Sequence, residues 1–165
     1  MKILSAYYHG KAVLKKWVLL ILFWKKLIIG AHTTWRKGLS VTIGKDGKVE
    51  IGKNCFFNNY CSINSLQTIK IGDGTLFGEG VKIYDHNHRF RDPNVPIKYQ
   101  GYKSAPVNIG KHCWIGSNVI ILKGTSIGDN CVIGAGCVVS GEVPSNTILK
   151  LTNDNQEEIR LNLNQ

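Results

Sequence analysis

An apolar residue returns at every sixth position along most of this chain. From Ile109 the sequence divides without a gap into IGKHCW, IGSNVI, ILKGTS, IGDNCV, IGAGCV and VSGEVP, each opening on Ile or Val. Upstream the same phrase reads IGKNCF, FNNYCS, INSLQT and, after the insertion Ile69-Lys70, IGDGTL, FGEGVK and IYDHNH. All twelve openings are apolar, and glycine follows seven of them. Neither a helix, with a period of about 3.6, nor a flat sheet, with a period of about 2, demands a strict six. A solenoid does, because each unit is a short strand plus a corner and stacking the units buries one continuous column of opening residues. Glycine in the second place suits a position where a side chain would crowd the next coil or where φ is positive. The strict phase of Ile and Val argues against a merely glycine-rich stretch of low complexity.

The N-terminal part follows another pattern. KAVLKKWVLLILFWKKLIIG alternates lysine pairs with apolar blocks and predicts a helix from about Ser5 to Ile29, apolar on much of its circumference. Its uninterrupted apolar run, Trp17 to Trp24, has only eight residues and is too short to span a bilayer. Lys25 and Lys26 close that run with no small-residue cleavage site after them, unlike a signal peptide. Two readings stay open: a helix packed on the main domain or a partner subunit, or a helix in a membrane interface with lysines near anionic headgroups and the tryptophans at the boundary. The organisation that follows is a helical segment over 1–38, a repeat domain over 39–148 with an extruded loop over 84–106, and a tail over 149–165.

Charge and cysteine narrow the classes. Lys and Arg number 21 against 11 Asp and Glu, and no acidic residue precedes Asp46. The basic residues interleave with long aliphatics instead of lining a polar face, which argues against nucleic acid. Cys55, Cys61, Cys113, Cys131 and Cys137 each take the fifth place of a hexapeptide, where other blocks carry Thr75, Val81, Val119, Thr125 and Val143. That is a small-residue packing place, so the cysteines read as core filler, with no C-x-x-C spacing for a metal. Five scattered cysteines suit a reducing cytoplasm, with a peripheral position at the inner membrane face as the extension of the helix reading.

Between Ile83 and Ile109 the rhythm fails, and YDHNHRFRDPNVPIKYQGYKSAP reads as a long loop with no element of its own. Such an excursion from a compact repeat is more often functional than accidental. IGDGTLFGEGVKIYDHNH, followed after the loop by IGKHCWIGSNVIILKGTSIGDNCVIGAGCVVSGEVP, resembles the hexapeptide-repeat acyltransferases. The resemblance is greatest to the branch holding maltose and galactoside O-acetyltransferases, streptogramin acetyltransferases and surface-glycan O-acetyltransferases, and covers about residues 43 to 148. It implies an all-β fold, the left-handed parallel β-helix with three hexapeptides per coil. It also implies a homotrimer with active sites between subunits, acetyl-CoA as co-substrate with no metal, and an acceptor hydroxyl on a sugar, capsule, O-antigen or exopolysaccharide precursor.

Acetyl transfer from a thioester to a hydroxyl needs a base, for which imidazole is suited near neutral pH, and donors for the oxyanion. The resemblance puts the catalytic histidine five residues after Ile83, at His88, in preference to His86, with the pair expected on opposite faces of an extended segment. Asp85 or Asp92 is the candidate to orient the ring, and Asn59, Asp85 and His86 are the acceptor-side candidates. On the cofactor side the matching gives Trp114 beside the thioester, Ser117 and Ala135 along the pantetheine arm, and Ser140 near the phosphates. Ser140-Gly141 replaces the family's Thr-Lys there, so a cationic contact is either missing or supplied elsewhere, with Lys150 and Arg160 as the candidate substitutes. His112 lies inside a hexapeptide beside Trp114. Two other readings stand beside this one: a non-catalytic β-helix scaffold, and a zinc-dependent β-helix carbonic anhydrase needing His86, His88 and His112 together.

Overall fold

The computed structural model describes residues 10, 14–152 and 156–160. Three strands and three corners make one turn of a parallel β-helix. The first coil holds β1 (Leu27–Ile29), β2 (Thr34–Trp35) and β3 (Ser40–Ile43), and the second β4 (Val49–Ile51), β5 (Phe56–Phe57) and β6 (Ser62–Ser65). The third holds β7 (Ile69–Ile71), β8 (Leu76–Phe77) and β9 (Lys82–Tyr84); a hairpin of β10 (His86–His88) and β11 (Tyr102–Ser104) then leaves the prism. Winding resumes with β12 (Val107–Ile109), β13 (Trp114–Ile115) and β14 (Ile120–Ile121), then β15 (Ser126–Ile127), β16 (Val132–Ile133) and β17 (Val138–Val139). It ends with β18 (Glu142–Val143), β19 (Thr147–Leu151) and β20 (Gln156–Arg160).

The first face of the prism runs β1-β4-β7-β12-β15-β18, the second β2-β5-β8-β13-β16-β19-β20, and the third β3-β6-β9-β14-β17. Pairing on these faces is parallel, except that β20 folds back antiparallel on β19. The hexapeptide phase explains the core directly. Opening residues Ile51, Phe57, Ile63, Ile71, Phe77, Ile83, Ile109, Ile115, Ile121, Ile127, Ile133 and Val139 are all buried. Each such side chain contributes about 1.5–3 kcal/mol when fully buried. Phe57 and Phe77 stack with ring centroids 4.4 Å apart.

The other places have separate physical uses. The fourth place turns the corner with positive φ, at Asn54, Tyr60, His112, Asn118 and Asn130 and at glycines such as Gly74 and Gly124. His112 is therefore a corner residue. The second-place glycines answer to crowding: a Cβ on Gly110 would stand 2.5 Å from the backbone of Gly128 in the next coil. The fifth place holds the buried cysteines as expected, and it also carries a donor. The Cys113 and Cys131 thiols point at the carbonyls of Gly128 and Pro144, each 3.1 Å away, as the Thr75 hydroxyl does at Gly110, 2.9 Å away. Burial pushes the Cys113 thiol up to about 11.

Three boundaries differ from the sequence reading. Helix α1 covers residues 14–22, with residue 10 also helical, and residues 5–9 and 11–13 of the expected helix lie outside the described residues. Its expected C-terminal end, Leu27–Ile29, is instead β1, because the chain turns through Lys25 at φ 63° and then pairs in parallel with β4. The prism thus starts at Leu27, ahead of residue 39, and Trp35 already belongs to the core. At the other end, 149–165 is not simply a tail, since β19 continues the second face and β20 covers it. The loop too has elements of its own, the β10–β11 hairpin and a 3₁₀ turn at Ile97–Tyr99.

Candidate active site

Asp85 follows β9 directly and lies at the corner between the third and first faces, where its backbone anchors both ends of the excursion. The Ala105 N–H donates to the Asp85 carbonyl at 2.9 Å. The Asp85 side chain is fully buried. Its carboxylate accepts hydrogen bonds from the Ser65 hydroxyl at 2.7 Å and from the N–H groups of Leu66 and Gln67, both at 2.8 Å. Those donors belong to the same corner one coil earlier, the one lengthened by the Ile69-Lys70 insertion. Burial alone would raise the Asp85 carboxyl, but the Leu66, Gln67, Ser65 and His86 hydrogen bonds outweigh it and hold the group below its ordinary value.

His86 Nδ1 completes this set, 3.0 Å from Asp85 Oδ1. A ring whose Nδ1–H donates to a carboxylate keeps Nε2 as its acceptor. The side chain is 17% exposed and is flanked edge-on by Tyr84 and by Tyr102, whose centroids lie 6.4 Å and 5.3 Å away. Asp92, the other carboxylate considered for orienting the ring, is engaged elsewhere. It caps the Asn94 N–H at 2.9 Å, and its backbone is clamped by the Gln100 side chain.

His88 is exposed and sits opposite Tyr102 in the hairpin register, its ring 4.5 Å from the tyrosine ring. Both histidine rings touch Tyr102, so they share a face instead of lying on opposite ones. The reason is the pleat: residues two apart on a strand point the same way. His88 lines a cavity of about 810 Å³ with Arg89, Arg91, Lys103 and Lys123.

The remaining candidates occupy another corner, between the second and third faces. Asn59 Oδ1 accepts from the Lys37 N–H at 3.2 Å and its carbonyl accepts from the Gly80 N–H at 2.8 Å. Ser117 lies further along the same corner, its hydroxyl accepting from the Glu79 N–H at 3.2 Å, and the Gly136 N–H beside Ala135 donates to the Ser117 carbonyl at 2.9 Å. Trp114 is exposed on the adjoining strand, between Leu76 and Val132. Lys150 reaches this corner too, where it pairs with Glu157 at 3.5 Å, both half-exposed. Ser140, by contrast, follows β17 at the corner of Asp85 and Lys123, away from Trp114. The third face, about four residues or roughly 13 Å wide, separates the two groups. His112 stands at yet another corner, so one chain does not bring His86, His88 and His112 together. Among the described residues there is no group of three or more His, Cys, Asp or Glu side chains that could hold a metal ion. Sequence reasoning does not reach Ser65, Tyr102 or Lys123; the Ile69-Lys70 insertion is the one mark of the corner that holds Asp85.

Comparison with known proteins agrees with this fold. A family model described as the hexapeptide repeat of succinyl-transferase matches residues 106–140. The chain is 35% identical over 127 residues to the putative lipopolysaccharide biosynthesis O-acetyl transferase WbbJ of Escherichia coli K12, covering 73% of this chain and 65% of that one. The crystal structure of a maltose O-acetyltransferase from Clostridium difficile 630 is 30% identical, with a TM-score of 0.66 over 83% of this chain and 71% of its own. A hexapeptide-repeat acetyltransferase from Vibrio cholerae, complexed with acetyl coenzyme A, gives a TM-score of 0.67 at 26% identity, over 81% of this chain and 69% of its own. The fold is thus a left-handed parallel β-helix with an extruded histidine hairpin. The chain belongs to the hexapeptide-repeat acyltransferase family. It spans between about a third and two thirds of the length of the curated relatives it matches, from 34% to 65%.

Proposed function

We propose that the protein transfers an acetyl group from acetyl-CoA to a hydroxyl of a sugar or surface-glycan precursor in the cytoplasm, with His86 as general base. The observation that carries this reading is the hydrogen bond from His86 Nδ1 to the buried Asp85 carboxylate at 3.0 Å. It holds the ring in one orientation and leaves Nε2 free to accept a proton. Acetyl-CoA supplies the activated thioester. Nε2 takes the acceptor hydroxyl's proton as that oxygen bonds to the thioester carbonyl carbon. The C–S bond then breaks and the proton passes to the departing thiolate, which leaves His86 as it began. Asp85 orients the ring and stabilises its charged form in between.

The relatives named for lipopolysaccharide O-acetylation and for maltose O-acetylation support a carbohydrate hydroxyl as acceptor. Arg89, Arg91, Lys103 and Lys123 around the cavity, against the single acid Asp92, favour an acceptor that also carries a phosphate. A homotrimer follows from the division of the site between two corners. Trp114, Ser117 and Ala135 as the cofactor side meet the Asp85–His86 pair when one subunit's corner faces its neighbour's, and closed symmetry is the usual way to arrange that. Asn59 is the acceptor-side residue of that second corner. Lys150 and Ser140 remain the phosphate-end candidates, Lys150 with its charge shared by Glu157.

A second reading exchanges the histidines. His88 lines the large cavity, whereas His86 does not, and on that ground His88 would be the base and His86 its neighbour. Thiol release from acetyl-CoA, measured against neutral sugars, sugar phosphates, nucleotide sugars and lipid-linked oligosaccharides, decides between them. His86→Ala is expected to lower kcat by about 10²–10⁴-fold, and His88→Ala by less than about tenfold. The opposite order returns the base to His88; full activity in both variants rejects a histidine base.

A further inference from the structure

The lysines of α1 do not face outward as the alternation of lysine pairs with apolar blocks suggests. Lys15 Nζ donates to the Leu39 carbonyl, and Lys16 Nζ to the Gly30 carbonyl at 3.1 Å. Lys26 Nζ, just beyond the helix, donates to Gly44 at 3.3 Å and to Lys45 at 2.7 Å. Gly30, Leu39 and Gly44 stand at the three corners of the first coil. These carbonyls lie at the end of the prism where, among the described residues, no earlier coil supplies N–H donors, and an unpaired backbone edge is costly. The lysines therefore close the end of the solenoid, while Leu19, Leu20 and Phe23 pack on its core.

Turning the lysines inward leaves the opposite side of the helix apolar and in solvent. Leu14, Trp17 and Ile21 are 69%, 63% and 71% exposed, with Val18 and Leu22 between them, and Trp24, in the turn that follows, is 73% exposed. Their spacing makes one continuous stripe. Around the same end Lys25, Arg36, Lys37 and Lys45 are exposed, and no acidic residue occurs in the chain before Asp46. Among the described residues no helix is long and apolar enough to cross a membrane.

We propose that this end of the prism docks on an anionic bilayer, with the outer face of α1 lying in the interface and the rim cations against lipid headgroups. One tryptophan on an amphipathic helix and a second in the turn after it, ringed by cations, fit that surface, since apolar burial and attraction to anionic lipid add. The geometry also suits the catalytic corner. Asp85 and His86 leave the third coil, two coil spacings or roughly 10 Å beyond the docked end. A glycan attached to a membrane anchor through its phosphates reaches that height. In a trimer with rotational symmetry, the three helices face the same way.

The test is co-sedimentation of the full chain with phosphatidylcholine vesicles, with and without phosphatidylglycerol, in the absence of acetyl-CoA. Binding is expected only with phosphatidylglycerol, weakening as salt is raised. The Trp17→Ser/Ile21→Ser double variant, with unchanged circular dichroism, is expected to partition roughly tenfold less or worse. Lys25→Glu combined with Lys37→Glu is expected to abolish the preference for anionic lipid. Absence of vesicle binding, or binding that survives the Trp17→Ser/Ile21→Ser change, overturns the proposal. So does a drop in oligomer mass in that variant, which would mean that a second copy of the chain covers the face. Protection of Trp17 from acrylamide quenching in lipid-free protein would likewise overturn it, by showing the face covered by the protein itself.

Discussion

Asp85 Oδ1 and His86 Nδ1 lie 3.0 Å apart, although the two residues are adjacent in sequence and belong to different environments. Asp85 is the one buried charged residue among the described residues, and His86 stands at the mouth of the hairpin. A buried carboxylate is tolerated only when its lone pairs are met, and here the Ser65 hydroxyl and two backbone N–H groups meet them. The pair thus joins the last coil before the excursion to the base of the hairpin.

Asp85→Asn is expected to act on orientation and on stability separately. Its amide NH₂ faces N–H donors, so the fold should lose about 1–3 kcal/mol, read from thermal melts. Since the ring loses its charged partner, kcat should fall about 10–100-fold with KM little changed. Ser65→Ala removes one donor to the same carboxylate and should cost stability while leaving most of kcat. Unchanged kcat in Asp85→Asn removes the positioning role.

The same carboxylate sets an acid limit. Because the folded Asp85 carboxyl titrates below its ordinary value of 3.8, its contribution is complete above that value and is lost as pH falls through the folded one. The stability gap between wild type and Asp85→Asn should narrow as pH falls below about 4. Chemical denaturation at stepped pH reads this directly. A gap that widens below about pH 4 would contradict the direction of the shift.

How much of this was legible in the sequence depended on whether a side chain carried the information. Every sixth residue is buried, so Ile109, Ile115 and Ile121 announce the coil without help, and Cys113 and Thr75 sort to the packing place beside them. The end of α1 was not legible, because Leu27–Ile29 is as apolar as the helix before it and only the pairing with β4 makes it a strand. The inward turn of Lys15 and Lys16 was hidden too, since it answers to carbonyls at Leu39 and Gly30 that no side-chain pattern marks. The hydrogen bonds around the two histidines were hidden in the same way. Counting from Ile83 favours His88, but the partners that fix His86 are the Asp85 carboxylate and, behind it, the peptide N–H groups of Leu66 and Gln67.

Close approach between coils gives a prediction about the fold alone. Gly110→Ala would put a Cβ 2.5 Å from Gly128, whereas Gly124, at φ 77°, has only the Ala105 side chain nearby, at 3.5 Å. Backbone must move in the first case, and only dihedral strain arises in the second. Gly110→Ala should therefore lower the melting temperature more than Gly124→Ala, whose cost is on the order of 1–2 kcal/mol. Equal losses would mean that the coils can part without penalty.

Lys123 gives the sharpest handle on the acceptor. It comes from the corner after β14, one coil beyond Asp85, whereas Arg89 and Arg91 come from the hairpin, so two independent segments bring cations to one cavity. Nothing in the packing of the prism requires that convergence, and a neutral sugar does not reward it. A phosphate does, through charge-assisted hydrogen bonds of about 1.5–3 kcal/mol each. Lys123→Glu should accordingly raise KM for a sugar phosphate by about tenfold or more, with kcat less affected, while KM for the matching neutral sugar moves less than about twofold. Raising the salt concentration should weaken the wild-type preference for the phosphorylated acceptor in the same direction, because such contacts are screened. If Lys123→Glu shifts both acceptors equally, the cations serve the hairpin's own structure and the acceptor is neutral.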